Sequence, residues 1–133
     1  MEPAMPTRLD AVGPDLLGVK LRLSGQVLSY DATTGLVLLW ARDVAVLVDV
    51  SNCVSAWTGW SKEHLAAVIT AGYLERAPAD VRVPGLPKHF PLPAPKTDER
   101  VVLRALSVVA RDVEADVWNE GCEVQHWRKM KGL

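Results

Sequence analysis

Val19-Lys-Leu-Arg-Leu-Ser-Gly25-Gln-Val-Leu-Ser-Tyr-Asp31 is the stretch on which the fold turns. Val19, Leu21 and Leu23 alternate with Lys20, Arg22 and Ser24, the period of a strand with one buried face. Gly25 interrupts the alternation, and the apolar positions resume at Val27 or Leu28. A glycine in mid-strand marks a bulge or a sharp bend. A long first strand that bends at a glycine is what a small barrel needs to close on itself.

The neighbouring segments extend the pattern. Asp31-Ala-Thr-Thr-Gly35 reads as a turn, with Gly35 where a positive φ is expected. Leu36–Trp40 and Val44–Val50 follow as two strands joined by the short turn Arg42-Asp43. Both strands are apolar on both faces except at Asp49, which is unusual for an antiparallel sheet with one wet side. A helix of the same chain or a partner is therefore expected to cover their outer face. Asp49 itself is expected to cap a neighbouring backbone group.

Residues 57–75 mix signals. Ser61-Lys-Glu-His64 suits a helical turn, whereas Val68-Ile-Thr70 is β-branched and Gly72 weakens a helix. The reading is a helical turn near Ser61–Leu65 passing into a strand over about Ala67–Glu75. Residues 76–98 hold six of the nine prolines, a density that no central strand or helix tolerates. They read as an inserted, partly polyproline-like surface loop, in which a short Gly-Ser linker could replace Ala79 to Ala94, with a recognition segment for a partner as the alternative. Arg100–Val109 is a last strand. Beyond Arg111 the period becomes helical over about 112–131, with Val113, Val117, Gly121, Val124 and Trp127 on one stripe and Trp118 beside it. Acidic residues near its start and basic ones near its end suit the helix dipole.

At 133 residues the chain suits one domain, read as an extended lead-in over 1–15 and a single domain over 16–131. Fifteen Lys plus Arg against sixteen Asp plus Glu leave a formal charge of −1, which excludes a histone-like polybasic protein. Any nucleic-acid role must rest on a local patch or on partners. Cys53 and Cys122 form no Cys-x-x-Cys pair, and the three histidines are scattered, so neither a disulfide framework nor a metal site is expected. The N-terminus lacks the features of a signal peptide, and no run is long enough for a membrane span. The expectation is a soluble intracellular protein.

No nucleotide-binding loop, zinc-protease motif or nucleophile elbow occurs, so no enzyme and no cofactor are expected. Five tryptophans read as packing and interface anchors before base-stacking platforms, since basic residues do not crowd around them. Lys20, Arg22 and Arg42 are the candidates for a modest nucleic-acid-binding patch.

The element order describes an all-β fold, a five-stranded OB barrel, with a C-terminal helix. Leu23-Ser-Gly-Gln-Val27, Tyr30–Leu39 and Val46-Leu-Val-Asp-Val50 resemble the first three strands of the small OB-fold subunit (Ten-one) of the telomere-capping CST complex, in its fungal form. Ala67–Leu74 is similar to that family's fourth strand, and Val102–Val109 with the helix through Trp118-Asn-Glu120 to its last strand and helix. The small OB subunits of replication protein A and of the RecQ-associated dissolvasome share the plan. The proline-rich insertion departs from all three.

The resemblance implies a non-catalytic nuclear subunit at chromosome ends. It would pair with a larger OB protein (Stn-one-like) and meet single-stranded telomeric DNA mainly within that complex. It also implies that Val113, Val117, Trp118, Gly121, Val124 and Trp127 form the partner interface. Alternatives are a subunit of a replication protein A-like or dissolvasome complex, or a stand-alone single-strand-binding module.

Overall fold

A computed structural model of the chain describes residues 3–53, 67–87, 90 and 93–110. The strands are β1 (Met5–Pro6), β2 (Lys20–Asp31), β3 (Leu36–Ala41), β4 (Val44–Asp49), β5 (Ala67–Arg76), β6 (Lys96–Thr97) and β7 (Val101–Ala110). β2 changes partner along its length. Lys20–Gln26 pair with β5, and Gln26–Asp31 pair with β3, so the strand belongs to two walls at once. β3 pairs with β4, β4 runs parallel to β7, and β7 pairs antiparallel with β5. The circuit β2-β3-β4-β7-β5 returns to β2 and closes a five-stranded barrel.

Gly25 lies just before the change of partner. A Cβ there would come within 2.8 Å of Leu39 Cγ and 3.0 Å of the Trp40 carbonyl oxygen. The glycine is needed for close approach of β3, while the bulge itself falls three residues later, between Val27 and Ser29. Leu28, the extra residue, joins the outer layer of the protein. The expected turn forms as read: Asp31 Oδ1 accepts the Thr33 N–H at 2.9 Å, and Gly35 has φ +76°. Asp49 is a cap, its Oδ1 accepting both the Ser51 N–H (2.9 Å) and hydroxyl (2.6 Å).

The period-2 alternation divides the apolar residues into two layers. Leu21, Leu23, Val27, Val37, Leu39, Val46, Val48, Val68, Leu74, Leu103, Ala105 and Val108 fill the barrel. Leu28, Leu36, Leu38, Ala45, Leu47 and Val102 form a second cluster on its outside. Each leucine so buried contributes about 1.5–3 kcal/mol.

The lead-in is docked, not simply extended. β1 pairs in parallel with β2, the Thr7 N–H donates to the Arg22 carbonyl at 3.0 Å, and Leu9 is 3% exposed within the inner core. Lone apolar residues between prolines carry no period, which hid this contact in the sequence. The strand reading of Ala67–Arg76 holds. The helical turn expected at 61–65, the terminal helix expected at about 112–131, and Trp57, Trp60, Trp118 and Trp127 lie outside the described residues.

Candidate functional site

The outer face of β3 and β4 is the surface that barrels of this topology commonly offer to oligonucleotides, between the loops that follow the first and fourth barrel strands. Here it presents Leu36, Leu38, Trp40, Ala45 and Leu47, and the proline-rich segment lies across it. Ala77, Val81, Val83 and Phe90 pack on that cluster, and Leu38 and Leu47 are left 1% and 0% exposed. Phe90 meets Trp40 edge to face, with ring centroids 5.5 Å apart and planes at 82°. Such a pair adds about 0.5–1.5 kcal/mol beyond its buried area. The segment is pinned at both ends: the Ala77 N–H donates to the Arg100 carbonyl (2.8 Å) and the Lys96 N–H to that of Asp43 (2.7 Å).

Where the sequence led us to expect a helix or a partner, the supposed surface loop covers this face among the described residues. Trp40 Nε1 and Ser29 Oγ are buried there without a hydrogen-bond partner. An unsatisfied buried group of this kind costs about 1–3 kcal/mol.

Lys20 and Arg22 project from the outer side of β2, flanking the fully buried Leu21. Arg42 stands apart from them in sequence and role, at the β3–β4 turn with φ 60°, where it lines a small cleft with Arg8, Asp10 and Asp43. The expected partner residues Val113, Val117, Trp118, Gly121, Val124 and Trp127 lie outside the described residues.

Larger clefts lie elsewhere among the described residues. One of about 580 Å³ lies between the lead-in, β4 and residues 96–101, and carries Asp10, Lys96, Asp98, Glu99 and Arg100. The Arg100 guanidinium hydrogen-bonds Asp98 at 2.9 Å and holds its carboxyl below the ordinary range. Another, of about 420 Å³, sits at one end of the covered face and sets Asp49 and Asp80 against Arg82. Cys53 is buried, and its Sγ lies 3.5 Å from the Ala105 carbonyl oxygen as donor. Burial, helped by the nearby Asp49 charge, pushes its thiol up, which makes it a poor nucleophile. No group of three metal-binding side chains assembles among the described residues.

The closed ring with a parallel β4–β7 seam defines an OB-fold barrel, as the sequence led us to expect. No family model matches the sequence, and no curated protein matches it. The barrel is similar to telomere capping proteins of known structure. A chain of the S. pombe Stn1–Ten1 complex superposes with a TM-score of 0.62 at 14% identity, covering 94% of this chain and 93% of that one. Telomere capping protein Ten1 from Saccharomyces pombe gives a TM-score of 0.60 at 14% identity, over 93% and 98% of the two chains. OBody AM1L10, bound to hen egg-white lysozyme, is also similar, with a TM-score of 0.53 at 14% identity over 85% of this chain and 99% of that one. At such identities the likeness establishes the fold.

Proposed function

We propose that this protein is a non-catalytic OB-fold subunit of a telomere-capping complex. In this reading it pairs with a larger OB-fold protein, acts in the nucleus at chromosome ends and supports their protection and replication. One observation carries the reading: its likeness to Ten1 runs over almost the whole of both chains, not over a shared core alone. The near-neutral charge supports it too, because a chain of formal charge −1 has no global field for gripping a polyanion unaided.

Partner binding is assigned to the stripe Val113, Val117, Gly121, Val124 and Trp127, with Trp118 at its side. The test is the double variant Val117→Glu/Val124→Glu, in which each carboxylate replaces an apolar group worth about 1.5–3 kcal/mol of burial and adds a desolvation cost. Affinity for the larger subunit should fall about a thousandfold, while the barrel's thermal transition is retained. A folded variant that still copurifies with its partner at wild-type yield would remove the stripe from the interface. An unfolded variant would make it internal core.

A further inference from the structure

The covered β3–β4 face and the two clefts share a defect as seats for a nucleic-acid strand. The first is closed by the chain's own residues, and both clefts carry carboxylates at least as numerous as their cations. The opposite wall of the barrel differs. Across β2, β5 and β7 the register sets Lys20 opposite Tyr73, and Tyr73 opposite Arg104. Because these three positions share one row on the outer side, an aromatic ring stands between two cations. The next outward position of β2 is the exposed Arg22, opposite Ala71. Tyr73 is half-buried, and the Arg104 side chain is 58% exposed, with Glu75 at 3.5 Å neutralising part of its charge. Leu21 and Leu103, each adjacent in sequence to a member of the row, are fully buried and hold the strands in place.

We infer that a single-stranded nucleic acid in contact with this subunit runs over the β2–β5–β7 wall, with Lys20, Arg22 and Arg104 on its phosphates and Tyr73 against a base. Cations tracking a backbone beside an aromatic platform are the recurrent chemistry of sequence-tolerant single-strand binding. The site rests on the reading that this subunit meets single-stranded DNA. It moves the strand away from the face that OB barrels commonly use, and replaces Arg42 with Arg104 and Tyr73. Both residues escape a reading of the sequence because only strand pairing brings them beside Lys20.

The probe is a fluorescent oligothymidylate, titrated with the full-length chain by anisotropy over a series of low salt concentrations. Lys20→Gln/Arg22→Gln/Arg104→Gln should weaken binding and flatten the slope of log affinity against log salt by about 2, since each lost single-strand phosphate contact removes about 0.7. Tyr73→Leu should weaken binding about tenfold, and Tyr73→Phe should restore it. Arg42→Gln and Trp40→Phe should bind as the wild type does. An unchanged slope in the triple variant, a loss confined to Trp40→Phe, or no binding by the wild-type chain at low salt would each overturn the assignment. Thermal melting checks that each variant is folded; should the triple variant not fold, ultraviolet crosslinking of the wild-type chain decides, a crosslink at Tyr73 supporting the site and one at Trp40 overturning it. Copurification of the larger subunit is scored separately. A chain that captures its partner but fails these titrations loses the site and keeps the capping-subunit reading.

Discussion

Replacing residues 79–94 with a short Gly-Ser linker should lower the melting temperature by about 20 °C or abolish the cooperative transition. The sequence alone suggests the opposite, because closing a loop of different length changes stability by only about 0.6 kcal/mol per doubling. The structure makes side-chain packing the larger effect. Val81, Val83 and Phe90 lie against the outer cluster, and at roughly half the value of full burial they contribute about 3 kcal/mol together. Their removal also re-exposes Leu38 and Leu47, now 1% and 0% exposed, and strips Phe90 from Trp40. The total, at least about 5 kcal/mol, is a large share of the 5–15 kcal/mol typical of a domain. At about 4 °C per kcal/mol for a chain of this size, a 20 °C fall follows. A linker variant that melts within a few degrees of the wild type would return 79–94 to a plain surface loop.

Gly72→Val should not fold at all at 25 °C. Gly72 lies in β5 where the register against β7 shifts by one residue, between the pairs Ala71–Ser107 and Gly72–Ala105. A Cβ at Gly72 would stand 2.7 Å from the Arg104 carbonyl carbon and 2.8 Å from Ala105 Cα, and closer still to the Arg104 carbonyl oxygen. These are backbone atoms of the paired strand, so no rotamer change relieves the collision. Only separation of β5 from β7 would, and that seam buries Leu74, Leu103, Ala105 and Val108. Overpacking against mobile side chains costs about 1–3 kcal/mol, and a collision with paired backbone exceeds it. Gly85→Val is the control: nothing lies within 4 Å of a Cβ at Gly85, so that variant should melt as the wild type does. Equal melting of the two variants would contradict the close approach at Gly72.

The contrast between these two segments explains what the sequence disclosed. β2 was legible because its period-2 alternation writes the inner face into the chain at every second position, and β3, β4 and β7 because they are short apolar, β-branched runs bounded by turns or by the proline-rich stretch. β5 was harder, since its alanines serve helix and strand alike; Val68-Ile69-Thr70 and Gly72 decided it, and Gly72 proves to be a position where no side chain fits. The cover over β3 and β4 was legible as a need and illegible as a segment. Two strands apolar on both faces require a second layer, but the layer comes from Val81, Val83 and Phe90, which stand among prolines in runs too short to read as an element. Leu9 went unread for the same reason. Of the nucleic-acid candidates, Lys20 and Arg22 share a strand face that alternation reveals. Tyr73 and Arg104 join them only through cross-strand register, which one chain's linear order does not contain.

The proposed role is that of the small subunit of a telomere-capping pair. It is tested most directly by tagging the protein in its own cells and identifying what copurifies with it after a high-salt wash. One larger OB-fold protein is expected in stoichiometric amount, bound also to telomeric single strands and lost with the Val117→Glu/Val124→Glu variant. Recovery of the chain alone, or with the large subunits of a general single-strand-binding or dissolvasome assembly in place of that protein, would contradict it.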